Sequence, residues 1–382
     1  MSNADGEEPP SRPLDVSDIG LYEYGQSVSD MFLDEQNRVV NFDFFQESFD
    51  QVSLPLELAK ACLGDLFGRT ARQTGQREFV KFIRLSTLRR HDRLPKYQDV
   101  QSDLVDYREI EGFDLQGRLS WWGGKDVFSD SPCVFVSHRW QSVDHPDPDG
   151  SQLAIILDRL DRGQRADRRR PARVQRPRRS AEEVYLWIDF CCLPQSRGAQ
   201  PPSQRDAENF QMGLARLPEV VKSCDLMIVY SPDYITRAWC YSELFVWLCK
   251  LAEVGFTFND NRSRLFRSVQ TRHLVKNAGQ TNGHTFDESV TTNVGFRGYE
   301  GPAEELLEIY RPIRDYCNDM ADSAQYNIAG LSGRFHTEYL LIMVNFLCRS
   351  WFLLQEMDCS SRADIEVCLR VIMDGLKYDY MA

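Results

Sequence analysis

Between Cys133 and Lys250, short runs of continuously apolar residues alternate with segments that are apolar on one side only. The runs are Cys133-Val134-Phe135-Val136-Ser137, Val184 to Phe190, and Leu226 to Tyr230, and each predicts a strand buried on both faces. After the first run, Leu153, Ile156, Leu157 and Leu160 mark the inward side of a helix. After the second, Phe210, Leu214, Leu217 and Val221 mark a helix over about 207–222. A further helix starts near Trp239 and turns Leu244, Phe245 and Leu248 inward. Strands without polar alternation, separated by amphipathic helices, are what a parallel sheet covered on both faces requires. Residues 131–255 are therefore expected to form an α/β domain.

The flanks read differently. Residues 1–18 have the composition of a disordered acidic tail. From 19 to 130 the pattern is mainly helical: Leu56, Ala59, Leu63 and Leu66 to Phe67 form one face, and Phe79, Phe82, Ile83 and Leu88 form another. Pro95 ends the second helix, because proline supplies no helical N–H. Trp121-Trp122-Gly123-Gly124 reads as a turn. An arginine-dense, proline-broken insertion at 164–180 has no apolar face and reads as a solvated loop, with anion or partner binding as the alternative. Residues 256–300 are polar, with room for short strands near Leu265 or Thr285. Helices return over about 302–320, 337–357 and 363–378.

Composition narrows the function classes. The net charge of −12 argues against a protein that coats nucleic acid or an anionic membrane. The N-terminus lacks the basic and apolar regions of a secretory signal. The most apolar stretch, Tyr339 to Cys348, is far shorter than the roughly 20 residues that span a bilayer. Eleven scattered cysteines show no Cys/His spacing for zinc, and a cytoplasmic location with reduced thiols and no metal is expected.

Chemistry belongs at the carboxyl ends of parallel strands, where loops and helix N-termini supply polar groups. The first strand ends in Ser137-His138-Arg139-Trp140 and the second reaches Asp189. The third opens into Ser231-Pro232-Asp233-Tyr234, then Arg237-Ala238-Trp239-Cys240-Tyr241-Ser242-Glu243-Leu244. A helix starting near Trp239 puts Glu243 one turn inside, on the same face as Trp239.

This order of segments resembles the TIR family. Plant TIR domains have a first strand ending in Ser-Phe-Arg, a second ending in Ile-Asp, and a third followed by Ser-x-x-Tyr and Trp-Cys-x-x-Glu-Leu. The resemblance covers residues 131–250, and its third segment is the most specific. His138 stands where the family carries an aromatic residue, and the arginine insertion is atypical. The continuation Cys191-Cys192-Leu193-Pro194-Gln195 resembles fungal heterokaryon-incompatibility domains, which are themselves TIR-like.

The resemblance implies a flavodoxin-like parallel sheet with helices on both faces, here flanked by helical N- and C-terminal regions. It also implies cleavage of NAD, as substrate rather than cofactor, between nicotinamide and ribose, in defence, cell death or nucleotide signalling. Glu243 is then the catalytic carboxylate. Nicotinamide leaves as a neutral molecule, so the demand is for a fixed negative charge beside the ribosyl cation. A glutamate near its reference pKa of about 4.3 meets that demand at neutral pH. Trp239 is the expected stacking platform, and Arg139 with the backbone near Ser137 the pyrophosphate contact. Asp189 orients a ribose hydroxyl or caps the next turn. His138 forms local hydrogen bonds, and Tyr234 packs under the loop. The family also implies self-association, in which a second copy closes the nucleotide pocket. Two alternatives stay open: a non-enzymatic TIR–TIR interaction module, and an N-glycosidase or glycosyl transferase acting on another nucleoside or nucleotide.

Overall fold

The computed structural model describes residues 41–64, 79–111, 113, 115, 133–169, 184–195, 202–257, 296–297, 309, 332–359 and 361–376. The acidic tail, the Trp121–Gly124 turn, most of the arginine insertion, the possible strands near Leu265 and Thr285, and nearly all of 302–320 lie outside the described residues. The chain divides into two compact units, one of residues 75–313 and one made of 1–74 together with 314–382.

In the unit built from both chain ends, α1 (Gln46–Gln51) and α2 (Leu56–Leu63) come first. Its C-terminal helices span Ser332–Gln355 and Arg362–Leu376, within a few residues of the expected bounds. Both pack on α2 and on each other around Phe49, Leu63, Trp351 and Ile372, all fully buried. The Gln355 amide donates to the Val52 carbonyl at 3.3 Å, tying the two chain ends together.

The other unit holds a six-stranded mixed sheet: β1 (Lys81–Arg84), β2 (Val105–Asp106), β3 (Cys133–His138), β4 (Tyr185–Trp187), β5 (Asp225–Val229) and β6 (Phe296–Arg297), in the order β2-β1-β4-β3-β5-β6. Strands β4, β3, β5 and β6 run parallel, while β1 lies antiparallel to both β2 and β4. Phe135 pairs with Trp187 on one side and Leu226 on the other. All six residues of β3 are buried, so both faces of the sheet are covered at its centre. The α/β class is therefore correct, and the all-parallel expectation is corrected to a mixed sheet.

The strand β1 overturns the expected second N-terminal helix. Phe79, Phe82 and Ile83 fit helical spacing, but a short apolar run rich in aromatic and β-branched residues suits a pleated strand equally well. Pairing with β4 decides the matter, and only the single turn α3 (Leu85–Leu88) is helical there. A second turn, α4 (Tyr97–Val100), follows Pro95.

Helix α5 (Ser151–Arg169) carries the expected apolar side and runs past residue 164, so the arginine insertion begins as helix rather than loop. The second predicted strand stops at Trp187, and Asp189 opens the short helix α6 (Asp189–Cys192) instead of ending the strand. Its carboxyl accepts the Phe190 N–H at 2.5 Å, which turns the chain out of the sheet. The helix expected over 207–222 is two helices, α7 (Gln204–Ala215) and α8 (Leu217–Ser223), because Pro218 at the start of α8 cannot continue the α7 hydrogen bonds. Helix α9 (Ala238–Thr257) follows β5 and packs on α8 and β3. The helices of the C-terminal region carry the labels α10 (Ser332–Gln355) and α11 (Arg362–Leu376). No helix among the described residues is long and apolar enough to cross a membrane.

Candidate functional site

Three segments converge where β3 ends. Ser137 and His138 are its last two residues, and side chains alternate across a strand, so they point to opposite faces. One polar group forms around each.

On the Ser137 side, the hydroxyl donates to Glu243 Oε2 at 2.5 Å. Ser137 has a single hydrogen, so the second contact, 2.5 Å to Tyr234 Oη, has the tyrosine as donor. Ser137 and Tyr234 are fully buried, and Glu243 keeps 9% exposure. Helix α9 presents Glu243 one turn in, as expected from the sequence. Arg237 accepts the Tyr241 N–H, which starts the turn just ahead of Glu243.

On the other side, His138 sits between two acceptors. The Gln152 amide donates to the Arg139 carbonyl at 2.7 Å, so its Oε1 faces His138 Nδ1 at 2.8 Å. His138 Nε2 lies 2.9 Å from Asp189 Oδ1. Asp189 also receives the Trp140 indole N–H at 2.9 Å on its other oxygen. Both imidazole nitrogens therefore act as donors, which makes His138 an imidazolium paired with an ionised Asp189. Burial pulls His138 down, but contact with Asp189 and the field of Glu243 outweigh it, and the net shift is upward. Burial pushes Asp189 up, yet the His138 charge and the Trp140 and Phe190 donors hold it below the usual carboxylate range.

Glu243 behaves differently. Burial dominates and lifts it to about 8, against the Ser137 hydrogen bond, while Asp189 adds to the rise and His138 opposes it. The expectation of an ordinary glutamate, ionised at neutral pH, is therefore wrong for the folded chain at rest. The reason is that the nearest positive charge, His138, is already matched by Asp189.

Arg139 forms an ion pair with Asp233, across from the end of β5. Trp239 is half-buried in the first turn of α9, and among the described residues it makes no ring contact or hydrogen bond with the cluster. The indole that joins the cluster is Trp140, which also sets its edge against Phe190 with ring centroids 5.4 Å apart. Sequence reading left Trp140 and Gln152 without roles. Trp140 stood inside the quoted motif, whereas a glutamine buried at a helix start carries no sequence signal.

Asp147 is also buried, with no exposure at all, and accepts three backbone N–H groups: Leu94 at 3.1 Å, Gln152 at 2.9 Å and Leu153 at 3.1 Å. It caps α5 and ties that helix to the 91–96 loop, thereby setting the position of Gln152. Gly150 takes a left-handed φ of +79°, and a Cβ there would lie 2.3 Å from the Asp92 carbonyl oxygen, so the turn needs glycine.

Two of the clefts on this unit are defined among the described residues. One, of about 430 Å³, is bordered by His91, Arg93, Lys96, His145 and Phe190; the other, of about 490 Å³, lies at the β1–β2 edge near Arg84 and Arg90. Ser137, Tyr234 and Glu243 line neither. Among the described residues, no group of three or more His, Cys, Asp and Glu side chains is placed to hold a metal ion.

Fold and site together define an α/β protein with a buried acid–base cluster at the carboxyl ends of adjacent parallel strands. In comparison with protein-family models, curated proteins and solved structures, the chain matches none of them.

Proposed function

We propose that this chain is a TIR-like N-glycosidase that cleaves the nicotinamide–ribose bond of NAD or a related nucleotide, with Glu243 as the charge stabiliser. The observation that carries the reading is the Glu243 carboxyl, buried against Ser137 at the end of β3 and delivered by the helix that follows β5. Counting only the parallel strands in chain order, the spatial order β4-β3-β5-β6 becomes 2-1-3-4. That is the flavodoxin-like order as far as it goes, and its topological switch point, the usual ligand crevice, falls between β3 and β5. Ser137 and Glu243 stand on either side of that point.

In the reaction, the C1′–N bond breaks and its electron pair leaves with nicotinamide. Water bonds to C1′ and loses one proton to solvent. An ionised Glu243 offsets the positive charge that grows on the ribosyl carbon. Asp189, whose oxygens are taken by His138 and Trp140, serves to hold β3 and α6 in place rather than to bind a ribose hydroxyl.

The same raised pKa favours a second reading. A Glu243 that is neutral at rest can protonate a leaving base, as cleavage of an uncharged nucleoside requires. The direction of the pH–rate profile separates the two. Incubation with NAD and quantification of free nicotinamide should give a rate that climbs as pH rises toward about 8, because the working form is the carboxylate. A rate on an uncharged nucleoside that falls over the same range, with no nicotinamide from NAD, would select the general-acid reading instead.

A further inference from the structure

The cleft of about 430 Å³ has no part in the cluster around Glu243, yet it sits at the end of the sheet where ligands bind. One wall is the 91–96 loop, and the other is the 144–149 loop that follows β3. Phe190, in the short helix that follows β4, borders it as well. The volume falls within the span of small-molecule sites, roughly 300–1,000 Å³.

Both walls are set before any ligand arrives. Asp147 takes the Leu94 N–H at 3.1 Å, and the Asp92 carbonyl packs closely on Gly150. His145 accepts the Asp147 N–H on Nδ1 at 2.9 Å, which leaves its ring proton on Nε2 and the ring uncharged. Burial first, then the charge of Arg93 and after it that of Lys96, keep the ring neutral against Asp147 and a hydrogen bond to the Leu94 backbone.

The charges at the cleft select the sign of a ligand. Nearby arginines are already paired: Arg89 with Asp161, Arg90 with Asp103 and Arg139 with Asp233. Arg93 has no carboxylate partner among the described residues, although Asp92, Asp99 and Asp144 border the same cleft. Asp149 accepts the Ser151 N–H at 3.0 Å and is taken up by the start of α5. All four of these carboxylates are exposed, and none ranks among the charges that bear most on the His145 ring, whereas Arg93 and Lys96 do. The field at the inner wall is therefore positive.

We propose that this cleft binds a small aryl oxyanion, with Arg93 and Lys96 on the anionic oxygens and Leu94, Pro95, Pro148 and Phe190 against the ring. A guanidinium fork matches two oxygens of a carboxylate or a phosphate equally well, so the class is set by charge and by the apolar body. The site uses none of Ser137, Tyr234 and Glu243, and it stands whether or not the chain cleaves a nucleotide.

The test is titration calorimetry of the full chain at neutral pH with benzoate, phenyl phosphate, inorganic phosphate and benzylamine. Benzoate or phenyl phosphate should bind saturably at one site, and the tighter of the two identifies the oxyanion. Inorganic phosphate should bind more weakly for want of a ring, and benzylamine not at all. Arg93→Ala and Lys96→Ala should each weaken the aryl oxyanion by about tenfold, and Arg93→Lys by less. Arg84→Ala, which removes the same charge at the other cleft, and Glu243→Gln should bind as the parent does. Matched melting curves show that each variant is folded. The proposal is overturned if neither aryl oxyanion saturates, if benzylamine or inorganic phosphate binds as tightly, or if Arg93→Ala and Lys96→Ala bind like the parent. A loss in Arg84→Ala or Glu243→Gln as large as in Arg93→Ala would place the ligand elsewhere and overturn it too.

Discussion

A second carboxyl beside an existing buried ion pair makes Glu243 a cost to the fold as well as a tool. Its pKa moves from an ordinary value near 4.3 when unfolded to about 8 when folded, so the folded chain holds a proton that the unfolded chain gives up. Stability is therefore lost as pH rises from about 4 to about 8. His138, raised, contributes stability that is complete below its ordinary pKa and fades above its folded one. Asp189, lowered, contributes above the carboxylate range and is lost in acid. Glu243→Gln keeps the shape and removes only the Glu243 penalty. Its gain in chemical-denaturation stability should be roughly 4–5 kcal/mol at pH 8 and near zero at pH 4. A variant less stable than the parent at pH 8 would argue for an ionised, well-solvated Glu243. The motif pointed to Glu243 because Trp-Cys-x-x-Glu is a local pattern. Its protonation was not legible, since that depends on how Asp189 and His138, far apart in sequence, meet in space.

At the scale of elements, the turns that end the strands fix the site. The Pro146-Asp147-Pro148-Asp149-Gly150 segment carries one buried carboxylate that serves three backbone N–H groups from two elements. Asp147→Ala strands those donors and should cost roughly 2–4 kcal/mol, read from the denaturation midpoint, because each buried unpaired group carries its own penalty. Asp147→Asn keeps an acceptor oxygen and should recover part of the loss. Equal stability of Asp147→Ala and the parent would show that water replaces the carboxylate. The apolar runs of β3 and β5 were legible because burial on both faces leaves continuous hydrophobic sequence. The strand β1 was not, since four residues with two buried apolar positions fit either period. Its identity comes from β4, a partner about a hundred residues later.

At the scale of the molecule, the chain ends fold together in one unit while the sheet occupies the other. The helical pattern of both flanks leads a sequence reading to pack them together, as α2, α10 and α11 do, but the boundary that puts β1 with the sheet was not legible. In the sheet unit Glu243 borders neither cleft. The family resemblance implies that a second copy completes the nucleotide pocket, and we expect self-association here. Turnover per molecule should then fall on dilution over about a hundredfold range, because the competent state follows mass action. Constant specific activity from a species that light scattering identifies as monomer would remove self-association from the mechanism.

The central claim is that Glu243 carries cleavage of the base–ribose bond. Its most direct test is nicotinamide release from NAD by wild type and Glu243→Gln, side by side at pH 8, with matched circular dichroism. Loss of one charge stabiliser at a developing cation should lower turnover by roughly a hundredfold or more. A wild-type chain that releases no nicotinamide, or a folded Glu243→Gln that keeps more than about half of the wild-type rate, would contradict the claim.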